Sequence, residues 1–128
     1  MSVEFQASTT DLGDGVAVVA VVGEADLYTA PELKGALSAA VDGGARRVLV
    51  DLSESTFIDS TTLGVLMGAV RRLRPLGGGV AILCRDPNIR KIFEITLLDR
   101  IFEIYATPEE ALRHLSSGEP SVQTKLDD

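Results

Sequence analysis

Four polar side chains stand in a row at Asp59, Ser60, Thr61 and Thr62, inside the string FIDSTTLGVL. An acid followed by three hydroxyls admits nucleophilic catalysis, helix capping, or acceptance of a modifying group. Ser60 as a nucleophile would need a base and an oxyanion hole. The one histidine, His114, falls on what reads as the last helix, and no G-x-S-x-G elbow surrounds the serine. An enzyme is therefore not the reading these residues favour, and no catalytic residue is assigned. Capping asks for less. Asp59 or Ser60 at N-cap would accept a hydrogen bond from an N–H two or three residues on, contributing ~1 kcal/mol. That accounts for one polar residue, not for four.

Other chemistry finds little support. The glycine-rich strings GDG, DGG and LGGGV match neither G-x-x-x-x-G-K-[ST] nor G-x-G-x-x-G, so they read as turns. One cysteine and one histidine cannot make a metal cluster, and no cofactor or metal is expected. Cys84 lies in the apolar run GVAILC and reads as a small buried hydrophobe.

The elements that must position 59–62 follow from periodicity. VEFQAS (3–8) and VAVVAVVG (16–23) read as strands joined across the hairpin signal Asp14-Gly15, the second apolar enough to be buried on both faces. Thr29 and Glu32 have the spacing of a capping box, with Pro31 in the first turn. The stripe Leu33, Ala36, Leu37, Ala40 and Val41 marks the first helix. RRVLVDLS (46–53) is a buried strand. Leu63, Leu66, Met67, Val70 and Leu73 then give a second helix, which PLGGG stops. After the strand VAILCR, Asp86-Pro87 opens a third helix with the stripe Ile89, Ile92, Phe93, Thr96 and Leu97. RIFEIY is a short strand. Thr107 and Glu110 make another capping box before a helix that turns Ala111, Leu112 and Leu115 inward, with His114 in its last turn as a surface residue favoured by the helix dipole. Residues 1–117 are read as one domain and 118–128 as a disordered C-terminal tail.

The order β-β-α-β-α-β-α-β-α predicts an α/β domain with a mixed, mostly parallel sheet and about four helices. The second helix has one oddity. Gly64 and Gly68 sit inside it at roughly 1 kcal/mol each against Ala. Either a neighbouring helix or strand approaches closely there, or, with Thr61, Val65, Ala69 and Arg72, they form a low-relief surface on which another protein can lie.

The whole chain sets limits. Its 128 residues suit one domain with a full core, and with 5% aromatic residues and no Trp that core must be aliphatic. A net charge of −7 argues against direct nucleic-acid binding. No apolar run reaches the ~18 residues of a membrane span, and the N-terminus lacks the marks of a secretion signal, so a cytoplasmic protein without membrane contact is expected.

Three strings carry a resemblance: VVGEADLYTAPELKGAL, VLVDLSESTFIDSTTLGVL and IFEITLLDRIFEIYATPEEAL. Together they resemble the STAS-domain family, specifically bacterial anti-sigma factor antagonists, over about residues 3–116. The resemblance implies partner switching in transcription regulation and stress response. The unphosphorylated antagonist binds an anti-sigma factor, itself a serine kinase with a histidine-kinase-like ATPase fold, and so releases a sigma factor. Phosphorylation of one serine ends the complex, and a PP2C-type phosphatase, needing divalent metal, restores it. Matching FIDS carries the phosphoacceptor onto Ser60. Asp59 aligns with the preceding acid, and Asp26 with the acid of the G-E-x-D string near the family's partner surface. The implied partner-binding set is Asp26, Asp59, Ser60, Thr61, Thr62, Gly64, Val65 and Gly68. Thr62 replaces a usual Gly, where a β-branched side chain would either hinder the kinase or offer a second acceptor. Leu97 or Leu98 replaces a Gly before Leu-Asp. The alternative is a STAS scaffold, or an accessory subunit of a transport or sensory complex, without phosphorylation.

Overall fold

A computed structural model of the chain describes residues 4–117; the expected tail at 118–128 lies outside the described residues. Five strands form one sheet in the order β1-β2-β3-β4-β5. The strands are β1 (Gln6–Gly13), β2 (Val16–Val22), β3 (Arg47–Glu54), β4 (Gly79–Leu83) and β5 (Glu103–Tyr105). The helices are α1 (Ala30–Asp42), α2 (Ser60–Leu73), α3 (Pro87–Ile95) and α4 (Pro108–Ser117). β1 pairs antiparallel with β2, and every later pairing is parallel, as the alternation of strand and helix predicts.

β1 runs on to Gly13 instead of ending near Ser8. Asp14 and Gly15 both have positive φ, 55° and 77°, so a two-residue turn closes the hairpin and pairing continues up to it. A register shift between Asp11 and Gly13 absorbs the odd residue.

The faces of the sheet differ. Val19, Val48, Val50 and Ile82 meet Leu33 and Leu37 of α1, Leu66 and Val70 of α2, and Ile89 and Phe93 of α3 in the main core. The alternate residues Leu49, Ala81, Leu83 and Tyr105 form a smaller cluster with Ala111 and Leu115 of α4, with Val16 and Val18 at its edge. One helix over β4 and β5 cannot cover five strands, so Val16, Val18, Ala20 and Val22 remain half-buried. β2 is thus fully buried on one face, not on both. Leu112, expected inward, is likewise exposed, because α4 turns only Ala111 and Leu115 to the sheet.

α3 ends at Ile95, so Thr96 and Leu97 are exposed rather than part of its stripe. Leu97 adopts the left-handed conformation, φ 61°, that normally selects glycine after a helix. It is therefore Leu97, not Leu98, that occupies the glycine place noted in the sequence.

Candidate functional site

β2 and β3 are parallel neighbours, so the loops after them emerge together at one edge of the sheet. Ala25 and Ile58 extend the pairing as an isolated parallel bridge. The Ala25 N–H donates to Phe57 O at 3.2 Å, and the Asp59 N–H donates back to Ala25 O at 3.2 Å. The Thr62 hydroxyl donates to that same carbonyl at 2.8 Å. One buried carbonyl thus ties the start of α2 to the loop that carries Asp26.

Asp59 is the N-cap. Its carboxylate accepts from the Thr62 N–H at 2.9 Å. This leaves Ser60 as the first helical residue, exposed, in a first turn whose early N–H groups have no partner within the helix. Thr62 is 0% exposed. It is expected on the partner surface, but the structure places its side chain in the interior, with the hydroxyl donating to Ala25 O.

Asp26 organises the other loop. Its Oδ1 accepts from the Tyr28 N–H at 2.9 Å and the Thr29 N–H at 3.1 Å, while its own N–H donates to Thr29 Oγ1 at 2.8 Å. The Thr29 hydroxyl in turn donates to Glu24 O at 3.0 Å. The expected capping box with Glu32 is absent for that reason: the hydroxyl is already engaged, and α1 starts without a side-chain cap.

Loop apposition brings Asp26, Asp59, Ser60 and Thr61 to one edge of the domain. Gly64, Val65 and Gly68 continue from it along α2, lining a groove of about 340 Å³ against α1. A Cβ built on either glycine meets nothing within 4 Å among the described residues, so no described neighbour requires them. Sequence reasoning missed three large apolar side chains on the two bridged loops: Leu27, Tyr28 and Phe57 are 61%, 89% and 45% exposed. Their only signal was apolar residues within loops, and pattern alone does not reveal exposure.

His114 is on α4, across the sheet from α2, with its ring 5.3 Å from that of Tyr105. It cannot serve Ser60 as a base. Cys84 is buried, and burial raises its thiol pKa. Among the described residues no group of three His, Cys, Asp or Glu side chains is placed to hold a metal, and no helix is long and apolar enough to cross a membrane.

The family model described as "STAS domain" matches residues 8–111. The chain belongs to the STAS domain family. This STAS domain is 36% identical over 104 residues to the anti-sigma-B factor antagonist of Listeria monocytogenes, spanning 81% of this chain and 88% of that protein. An anti-sigma factor antagonist from Mycobacterium paratuberculosis matches its fold with a TM-score of 0.79 at 33% identity, over 88% of this chain and 97% of the other. The Bacillus cell fate determinant SpoIIAA in its phosphorylated form matches with a TM-score of 0.67 at 25% identity, over 88% and 99%.

Proposed function

We propose that this STAS domain is an anti-sigma factor antagonist switched by phosphorylation of Ser60. Unphosphorylated, it binds an anti-sigma factor, a serine kinase with a histidine-kinase-like ATPase fold, and releases a sigma factor. The kinase phosphorylates Ser60 and the complex parts; a PP2C-type phosphatase reverses the step. The role is regulatory, not catalytic. The observation that carries this reading is the exposed Ser60 at the first position of α2, where the Ala25–Ile58 bridge joins the loop after β2 to the loop after β3, two loops that also carry the exposed apolar Leu27, Tyr28 and Phe57. The names of the relatives support it.

The energetics favour switching over unfolding. A phosphate adds about −1.5 to −2 charges at neutral pH. At a helix start such charge is favourable by ~0.3–1 kcal/mol, and the open N–H groups there can bind its oxygens. Asp59 next door offsets part of that gain. Under a partner the sign reverses, because an unpaired buried charge costs roughly 3–5 kcal/mol. Affinity then falls by ~10²–10³.

The test is incubation with candidate anti-sigma kinases and ATP, followed by phosphosite mapping. Wild type should carry phosphate on Ser60. Ser60→Ala should carry none and bind the kinase constitutively. A phosphate mapped to another residue removes Ser60 from its role.

A further inference from the structure

The room that Gly64 and Gly68 leave belongs to the groove between α1 and α2, and none of the described residues fills it. Its walls are apolar, from Leu37 and Val41 on α1 and Val65 and Ala69 on α2. The two helices run side by side in one direction, because each connects parallel strands, and the 2.8 Å Asp42–Arg72 ion pair joins their C-terminal ends. Eight residues back from that pair on each helix, Lys34 comes beside Gly64. Lys34 and Arg71 are exposed, line the groove, and have no ion pair among the described residues. At ~1.5 Å of rise per residue they bracket the apolar stretch about 10–12 Å apart. In a chain of net charge −7, this trough is bounded by two uncompensated cations.

We infer that the groove receives one helix of the partner that reads Ser60, with small and apolar residues on its buried face and acidic residues two turns apart. The inference rests on the partner-switching reading above. Ser60, Gly64 and Gly68 follow one another at four-residue intervals, a single ridge row of α2, so a partner covering Ser60 continues directly onto the glycines. Helices pack by laying ridges into grooves, and missing Cβ atoms let the backbones approach. Carboxylates at i and i+7 of such a helix match the spacing of Lys34 and Arg71. A single amphipathic carboxylate would use only one of these cations.

The experiment titrates the anti-sigma factor that phosphorylates Ser60 into three forms: wild type, the groove-filling Gly64→Leu/Gly68→Leu, and the charge-reversing Lys34→Glu/Arg71→Glu. Melting curves check that each is folded. The filled groove should weaken binding about 30-fold or more. Charge reversal should weaken it about tenfold at low salt and flatten its salt dependence. Wild-type affinity in both variants overturns the inference and leaves Ser60 switching intact. If no anti-sigma factor binds the wild type, the functional reading falls. A synthetic helical peptide with Glu at i and i+7 and Ala and Leu between then decides the groove alone. Amide shifts centred on Gly64 and Gly68, lost in the filled variant, support it; no shifts there overturn it.

Discussion

Thr62 spends a hydroxyl on the interior, where the sequence offered it as a candidate surface group. Its partner, the Ala25 carbonyl, lies 37 residues away in the chain, so no local pattern could reveal the contact. The same bond explains why an N-cap was legible in FIDS while its exact residue was not: Asp59 and Ser60 are equally good caps in isolation. Asp59 takes the role because the Ala25 carbonyl holds its N–H, which leaves Ser60 outward. Thr62→Val keeps the shape and removes the donor to a buried acceptor. Because the Asp59 N–H still bonds that carbonyl, the loss should be that of one net hydrogen bond, ~0.5–1.5 kcal/mol, read as a lower urea midpoint. An unchanged midpoint would mean that the Ala25 tether is dispensable.

Helices and their order were readable because apolar spacing is a local property. Their ends were less so, because ends depend on what else competes for a hydroxyl or an N–H. Two strings with the same capping-box spacing behave differently. Thr107 accepts from the Glu110 N–H at 3.3 Å, while Thr29 is drawn into the Asp26 loop. The glycines of α2 were visible as a cost, but their purpose required knowing that no described neighbour sits over them. Since Ala adds helix propensity and meets nothing, Gly64→Ala and Gly68→Ala should each stabilise the isolated domain by roughly 0.5–1 kcal/mol in urea unfolding. A loss of stability would show a close contact after all. Leu97, 57% exposed and left-handed, carries strain of ~1–2 kcal/mol for an L side chain. Leu97→Gly should raise the melting temperature, since little burial is lost and the strain exceeds glycine's added unfolded-state entropy, of the order of 1 kcal/mol.

At the scale of the molecule, the α/β class and the mixed sheet were legible from the alternation of elements, but the unequal cover of the two faces was not. VAVVAVV reads alike whether one or both of its faces are covered, and only the placement of α4 decides. The α4 face also holds a titrating group. Burial, and then a hydrogen bond to Glu103, raise the Tyr105 phenol above its ordinary 10.0. The folded chain keeps that proton at pH values where the unfolded chain has lost it. The resulting stability is complete below pH ~10 and is lost as pH rises above it. Urea midpoints between pH 9 and pH 11 should fall more for wild type than for Tyr105→Phe; equal slopes would remove Tyr105 from the alkaline transition.

The proposed phosphorylation switch joins these scales, because it requires a charge on one side chain to change an assembly without changing the fold. The most direct measurement compares affinity for the same anti-sigma factor before and after stoichiometric phosphorylation of Ser60, with melting temperatures taken on both forms. The account predicts a Kd raised by ~10²–10³ and a melting temperature close to that of the unmodified chain. Unchanged affinity, or affinity lost only because the phosphorylated domain unfolds, would contradict it.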